Sequence, residues 1–291
     1  MYETFYQLRE KPFSILPDPN LIYWGANHRL AMAVLECGVL NNAGFTVITG
    51  EVGSGKTTLI RYLLRRLDPG TVTVGLISNT PHGRNELLQW IMMSLGLPYD
   101  APYPALFQQF NQFLYTQHSK RRRTVLIIDE AQNLGADSLE ELRMLSNINA
   151  DKEQYLQLIL AGQPQLKQLL RAPNLLQFAQ RVSSDYHLRP LSVQDAALYI
   201  DFRLREVGAL VPIFTPEACR LIAEASGGVP RVINILCDTA LVYGFASNMP
   251  RISADLVGMV IEDKKNFGAL PLTGSPAVKG PVLVEQVEAD R

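Results

Sequence analysis

The chain has 291 residues, of which 47% are hydrophobic and 19% are charged, a composition that is typical of a folded globular protein and excludes a disordered one. Its 27 Lys and Arg residues against 28 Asp and Glu residues give a net charge of -1, which excludes a whole-protein field for nucleic acid or anionic lipid, although not a local patch. The three cysteines are far apart, which excludes a disulfide scaffold or zinc ribbon and indicates a reducing compartment: Cys37, Cys219 and Cys237.

The N-terminus lacks the basic start and apolar run of a signal peptide. No apolar run approaches the roughly 18–20 residues needed to cross a bilayer. We therefore expect a soluble, cytoplasmic chain, with docking on a protein at the inner membrane as an option.

The predicted elements begin with a strap, because residues 1–28 contain three prolines and read as an irregular segment laid on a domain. From there the hydrophobic pattern alternates between strand and helix. Continuous apolar strands that alternate with helices predict a parallel sheet covered by helices on both sides. The predicted strands are 45–49, 72–76, 125–128, 156–161 and 185–188, and the predicted helices are 30–37, 57–67, 87–95, 106–114 and 139–145.

The strands stop near residue 190, and the remaining pattern is helical. Ser192 is a helix N-cap, Thr215 caps a second helix, and Gly227-Gly228 ends it. Two further helices are predicted at about 230–246 and 253–264. The expected domains are therefore an α/β domain with the strap, an all-helical domain and a flexible tail of Gly, Pro, Ser and acidic composition: 1–190, 191–268 and 269–291.

A glycine-rich loop lies between a predicted buried strand and a predicted amphipathic helix. It reads Gly50-Glu51-Val52-Gly53-Ser54-Gly55-Lys56-Thr57, followed by Thr58, and fits the G-x-x-x-x-G-K-[ST] pattern. Glycines let amide N–H groups turn inward around phosphate oxygens, and the helix directs its N-terminal dipole at the same anion. Lys56 places a point charge on the β- and γ-phosphates, and the Thr57 hydroxyl can hold Mg²⁺.

An acidic pair ends the strand at 125–128. Asp129 and Glu130 point to opposite faces because successive strand residues alternate, so the two carboxylates can take different tasks. Asp129 is expected to hold Mg²⁺ and Glu130 to orient and polarise the attacking water. Together with the loop, the pair indicates NTP hydrolysis. Gln132 and Asn133 follow, either as groups that order water or contact a partner, or as turn residues; we favour the turn for Asn133.

These residues resemble the AAA+ subclass of phosphate-loop ATPases, in which glutamate follows the second-motif aspartate and a helical lid follows the sheet. The predicted strand at 156–161 ends in Gly162-Gln163-Pro164, where the resemblance implies that Gln163 is the sensor-1 polar residue. Gly227-Gly228-Val229-Pro230-Arg231 resembles the G-x-P-R that carries the sensor-2 arginine. The fold implied is an α/β parallel sheet sandwiched by helices, followed by a small helical lid.

A closer resemblance is to the ExeA-like family, the general secretion pathway protein A ATPases, which includes the short secretion ATPases of exosortase and polysaccharide-export loci. Transposition ATPases of the TniB/MuB kind are similar but more distant. The resemblance covers roughly residues 1–267 and implies ATP and Mg²⁺, a homo-oligomer and a protein partner in an inner-membrane export assembly. The matching stretches are 1–6, which is the more specific signature, 11–13, 17–19, 129–134, 139–147, 161–164 and 178–182.

Two features depart from these patterns. Gln163 replaces the Asn, Ser or Thr that is commoner at sensor 1, although the ExeA-like branch often has glutamine there. Long members of the branch continue past the lid into a membrane span and a peptidoglycan-binding region, which residues 1–291 do not include. Direct cell-wall binding is therefore not expected.

The arginines divide into candidates for the γ-phosphate and a surface run. Arg231 suits the sensor-2 position because its charge is permanent and its donors are forked. The resemblance implies that Arg181 is the finger that enters a neighbouring subunit's site, with Arg171 as the rival. The run Lys120-Arg121-Arg122-Arg123 could bind nucleic acid or an acidic membrane surface. We favour the alternative, a solvated turn before the next strand.

An adenine slot is expected where the strap and the lid meet. Pro12, Phe13 and Tyr23 of the strap and Ile233 and Asn234 of the lid are its candidates, with a core position for Phe13 as the alternative. The four histidines show neither metal-ligand spacing nor a triad, and a structural role is favoured for the one nearest the loop: His28, His82, His118 and His187.

The sequence thus predicts an AAA+ ATPase that couples ATP turnover to a secretion or polysaccharide-export assembly. Two alternatives remain: a DNA-associated ATPase of the transposition type, and a nucleotide-dependent scaffold with little turnover.

Overall fold

A computed structural model describes residues 1–41, 44–78, 86–150, 153–268 and Leu272. Five parallel strands form the main sheet in the order β2-β3-β6-β1-β7. If β4 and β5, which lie outside this sheet, are left out and the five strands are renumbered along the chain, the order is 2-3-4-1-5. Their bounds are β1 Phe45–Gly50, β2 Val72–Ile77, β3 Arg123–Ile128, β6 Leu156–Gly162 and β7 Val182–Leu188; a separate two-residue antiparallel ladder joins β4 Asn149–Ala150 to β5 Glu153–Gln154.

Helices cover both faces of the sheet, as the apolar strands predicted. Alternate residues of one strand enter different cores: Leu126 and Ile128 lie in one hydrophobic cluster, and Val125 and Ile127 lie in the other. The helices of this part are α2 Ala26–Leu40, α3 Lys56–Arg66, α4 Leu87–Ser94, α5 Tyr103–Ser119, α6 Ala136–Leu145, α7 Pro164–Leu170 and α8 Leu176–Ala179, with 3₁₀ turns at Ala131–Asn133 and Pro173–Leu175.

Four helices then surround a third core and form the lid: α9 Val193–Glu206, α10 Pro216–Ser226, α11 Pro230–Ala246 and α12 Ala254–Phe267. The predicted caps are present, because Ser192 Oγ accepts from Asp195 N at 3.0 Å and Thr215 Oγ1 accepts from Ala218 N at 3.2 Å. Gly227 closes α10 in the left-handed region with a φ of 58°.

The strap differs from the expected irregular segment in two ways. It contains a short helix, α1 Tyr2–Phe5, and α2 already begins at Ala26. Its aromatic side chains Tyr2, Tyr6 and Phe13 are buried in the lid core rather than against the sheet, and Tyr6 Oη donates to Met249 O at 3.0 Å. The physical reason is that an aromatic pair four residues apart presents one face to the lid helices.

The predicted flexible tail falls outside the described residues except for Leu272, which is buried in the lid core. Within the described ranges, no helix is long and apolar enough to span a bilayer. The domain boundaries at 190 and 268 stay predictions.

The junction between sheet and lid depends on a close backbone contact. Leu191 N donates to Gly228 O at 2.8 Å, and a Cβ added at Gly228 would lie 2.0 Å from Leu191 O. Gly228 also has a φ of 74°, which residues with a side chain rarely adopt. The junction therefore requires glycine for both space and conformation.

We expect Gly228→Ala to destabilise the protein more than Gly96→Ala does. Gly96 has a similar φ of 70° but nothing within 4 Å of an added Cβ, so it reports the conformational cost alone, about 1–2 kcal/mol. The clash at Gly228 adds about 1–3 kcal/mol. Urea unfolding of both variants measures the difference, and equal losses would contradict the contact's importance.

Candidate nucleotide-binding site

The phosphate loop begins where β1 ends and closes where α3 begins. Gly53 and Gly55 have φ values of 80° and 103°, in the left-handed region that favours glycine. These conformations allow successive backbone N–H groups to face one concavity, which is the geometry that binds a phosphate. Of the other predicted loop residues, Ser54 is buried, Glu51 and Val52 are exposed, and Thr58 lines the adjoining cleft.

Lys56 is buried and is held against its own loop. Its Nζ donates to Gly50 O at 2.8 Å and to Glu51 O at 3.0 Å. Burial lowers the pKa of the Lys56 ammonium, and the nearby carboxylates of Glu130 and Asp129 oppose that shift. The loop thus carries a cation with fixed carbonyl partners, next to the place where phosphate oxygens would sit.

Thr57 and Asp129 come together although they are 72 residues apart. Thr57 Oγ1 donates to Asp129 Oδ2 at 2.7 Å, and Asp129 Oδ1 accepts from Glu130 N at 3.0 Å. A hydroxyl and a carboxylate beside a phosphate loop are the hard oxygen ligands that Mg²⁺ prefers. The residues present therefore fit the predicted magnesium site.

Glu130 lies beside the predicted sensor. Its carboxylate atom Oε2 accepts from Gln163 Nε2 at 3.2 Å and from Gln132 Nε2 at 2.7 Å. Gln163 is the N-cap residue of α7, directly after β6. The sequence had left Gln132 open between a water-ordering group and a turn residue. The structure places Gln132 in a 3₁₀ turn and in contact with Glu130. Its second contact, with Gln163 N at 2.9 Å, depends on the pairing of β3 with β6 and could not be found from local pattern.

The lid touches the loop through the start of α11. Arg231 N donates to Gly53 O at 3.2 Å, and a Cβ added at Gly53 would lie 2.3 Å from the Cβ of Arg231. The Arg231 side chain is exposed and lines the cleft between loop, strap and lid. Sensor-2 placement at the loop is therefore compatible with the geometry.

The expected adenine slot is partly revised. Phe13 and Ile233 are buried in the lid core, because aromatic and aliphatic neighbours such as Phe214 enclose them. Tyr23 and Asn234 do line the cleft, together with Tyr199 and Arg203, which the sequence analysis missed. A buried polar network signals them: Tyr199 Oη donates to Asn234 Oδ1 at 2.7 Å, and Arg203 Nε donates to Pro12 O at 2.7 Å.

His28 packs against the phosphate loop and contacts its backbone at Ser54. Its Nε2 lies 3.2 Å from Ser54 O, and burial lowers the pKa of its imidazole. The structural role favoured for His28 fits this contact. His82 lies outside the described residues, and the parts of the chain that are described contain no cluster of three or more His, Cys, Asp or Glu that could hold a metal.

The two finger candidates lie away from the cleft of their own chain. Arg181 precedes β7, and its Nη1 donates to Ser146 Oγ at 3.0 Å; Arg171 is exposed at the end of α7. The basic run is partly tied to the backbone, since Arg122 Nη2 donates to Pro69 O at 2.9 Å and Arg123 Nη1 to Val39 O at 2.9 Å. Arg121 lies in the turn before the strand, whereas Arg123 is already the first residue of β3.

The sheet order, the phosphate loop, the acidic pair and the helical lid together define the AAA+ fold of the phosphate-loop NTPases. Residues 40–170 match the family model described as an AAA domain. The chain is also 43% identical over 254 residues to General secretion pathway protein A of Aeromonas hydrophila, which confirms the predicted resemblance to the ExeA-like family. The match covers 87% of this chain but 46% of that protein, so the chain spans about half its length.

Other similarities are shorter or concern the fold alone. Energy-coupling factor transporter ATP-binding protein EcfA2 of Lacticaseibacillus paracasei is 34% identical over 25% of this chain and 26% of its own length. The ORC2 protein of Aeropyrum pernix superposes with a TM-score of 0.64 at 19% identity, covering 87% of this chain and 71% of that one. RuvB of Thermotoga maritima gives a TM-score of 0.51 at 18% identity over 83% and 69%.

We expect Lys56→Ala to weaken nucleotide binding without unfolding the protein. Loss of one or two charge-assisted hydrogen bonds to phosphate costs about 1.5–3 kcal/mol each, or at least about tenfold in affinity. Titration with a fluorescent ATP analogue measures the change. Lys265→Ala, on the exposed end of α12, is the matched control. An affinity equal in both variants would remove Lys56 from the site.

Proposed function

We propose that this protein binds and hydrolyses ATP and couples the turnover to a secretion or polysaccharide-export assembly of the cell envelope. The observation that carries the proposal is the meeting of Thr57 with Asp129, and of Glu130 with Gln163, beside a glycine-rich loop. A phosphate cradle, two hard oxygen ligands and a positioned carboxylate are the parts that phosphoryl transfer to water requires.

Each group has a defined task. The loop amides and Lys56 bind the β- and γ-phosphates, and Thr57 and Asp129 would hold the metal. Bound Mg²⁺ supplies neutralisation of the charge on the phosphate oxygens. Glu130 orients and polarises the attacking water, and Gln163 positions it from the end of β6.

Coupling is assigned to the lid. The amide of Arg231 bonds the loop carbonyl of Gly53, so a change at the loop is passed to the start of α11. The Arg231 guanidinium suits the γ-phosphate because its forked donors match phosphate oxygens. Loss of that phosphate on hydrolysis would release the side chain and move the lid against the sheet.

The cellular role rests on the similarity to General secretion pathway protein A. We assign the protein to the cytoplasm, attached peripherally at the inner membrane through a protein partner, and working as a homo-oligomer in the form of a ring or dimer. The transposition-type alternative gains little from the basic run, because one run of four basic residues is weak evidence in a chain with a net charge of -1.

We expect the Glu130→Gln variant to bind ATP normally. Its steady-state ATP hydrolysis should fall by at least about 100-fold, because an amide cannot accept a proton from the attacking water. Glu10→Gln, an exposed carboxylate in the strap, is the control and should match wild type. Hydrolysis is measured with and without duplex DNA, alongside light scattering with ATP to follow assembly.

The outcomes separate the three functions. If ATP hydrolysis requires Glu130 and its rate does not change with duplex DNA, the export role is favoured. A severalfold stimulation by DNA that weakens with salt would transfer the protein to the transposition class. If wild type and Glu130→Gln both fail to hydrolyse ATP even when assembled, the nucleotide-dependent scaffold is the function that remains.

We expect Arg181→Ala to lower turnover of the assembled protein by about 10³-fold or more while nucleotide binding is retained, because a finger acts on a neighbour's phosphate. Ser146→Ala frees the Arg181 guanidinium without removing it, and should remain active. Mixing Arg181→Ala with Glu130→Gln subunits should restore turnover, since each supplies what the other lacks. If Arg171→Ala loses turnover instead, the finger is Arg171.

A further inference from the structure

The turn after the acidic pair folds back on the site. Glu130 has a left-handed φ of 53°, and this reversal starts the 3₁₀ turn Ala131–Asn133. As a result the Gln132 side chain reaches across to the end of β6. A Cβ added at Gly162, the last residue of β6, would lie 2.9 Å from Gln132 Oε1, so the amide occupies space that only glycine leaves.

The Gln132 amide joins two functional residues. Its Nε2 donates to Glu130 Oε2 at 2.7 Å, and its Oε1 accepts from Gln163 N at 2.9 Å. The orientation of this amide is fixed by chemistry, because a carboxylate only accepts and a backbone N–H only donates. Glutamate at this position would lack the donor, and asparagine would be one methylene shorter.

Both donors meet the same carboxylate oxygen. Gln163 Nε2 also donates to Glu130 Oε2, at 3.2 Å. Within the described part of the chain, no side-chain donor contacts Glu130 Oε1, which leaves one oxygen of a cleft-lining carboxylate for water. A long flexible side chain held by two hydrogen bonds loses the rotamer freedom that would take it out of reach of its reactant.

We propose that Gln132 is a positioning residue for ATP hydrolysis: it fixes the Glu130 carboxylate and ties it to Gln163, so that the water-activating group and the sensor move as one unit. The inference rests on the proposed ATPase function and adds to it a residue outside the phosphate loop, the acidic pair and the sensor. Gln132 acts through Glu130 and does not touch the nucleotide.

The first test is Gln132→Ala in the full chain, with ATP. We expect kcat to fall about tenfold to a hundredfold, since misplacement by about 1 Å can cost that much, while KM and the Kd for a fluorescent ATP analogue stay unchanged. Gln132→Glu keeps the shape but sets a carboxylate against Glu130, and should lose at least as much. Gln165→Ala, an exposed glutamine on α7, is the matched control.

Two further variants test the route of the effect. In a Glu130→Gln background, adding Gln132→Ala should cause no further loss, because a residue that acts through Glu130 has nothing left to position. Gly162→Ala inserts a methyl group where the Gln132 amide lies. The same methyl group would lie 2.9 Å from Leu166 Cδ2, so thermal stability is measured alongside kcat. A fall in kcat like that of Gln132→Ala, with thermal stability unchanged, is the expected result.

Three results would overturn the inference. If wild type hydrolyses ATP, Glu130→Gln abolishes turnover and Gln132→Ala is as fast as wild type or faster, Gln132 does not position Glu130 and the ATPase function stands. If Gln132→Ala raises KM and Kd together with a loss of thermal stability, the residue is only structural. An assembled wild type without turnover would overturn the proposed function, and this inference with it.

Discussion

The site depends on the side-by-side pairing of β3, β6 and β1. Their registers align Ile128 with Leu160 and Ile48 with Ala161, so the three carboxyl ends lie in a row. Parallel neighbours are about 4.8 Å apart, which places whatever follows each strand within about 10 Å of the others. The acidic pair follows β3, Gln163 follows β6 and the phosphate loop follows β1. A slip of one residue in any of these strands would exchange its side chains between the two hydrophobic cores on either side of the sheet.

Much of this arrangement could be predicted from local pattern. Each of these three strands is buried on both faces and therefore reads as a mainly apolar run, interrupted by Thr46 in β1 and by Gln157 in β6. The loop and the acidic pair are also local, because the chemistry of phosphate and magnesium fixes residue types at short spacing. Ser192 and Thr215 predict the starts of their helices for the same reason, because an N-cap side chain bonds a backbone N–H only three residues further along.

The parts that escaped prediction are contacts between distant segments. The hydrogen bond of Gln132 to Glu130 is local, but the same side chain also accepts from Gln163 N, 31 residues further along the chain. Arg203 reads as an ordinary charged residue of an amphipathic helix until Pro12, 191 residues away, supplies its acceptor. The strap was grouped with the α/β domain, whereas its aromatic side chains Tyr2, Tyr6 and Phe13 are buried in the lid core. No periodicity encodes which core a short aromatic segment will join.

That last feature bears on how the chain is made. Tyr2 bonds Asp238, and 236 residues separate them. At a synthesis rate of roughly 5–20 residues per second, the first aromatic residues leave the ribosome on the order of ten to fifty seconds before their lid partners exist. The last strand of the sheet, β7, ends at Leu188, so all five strands are synthesised before α11, while Tyr2, Tyr6 and Phe13 still have no complete core to enter. Residues 2–13 therefore reach their places only after the lid helices have been made, and the nascent protein carries an unsheltered aromatic segment until then.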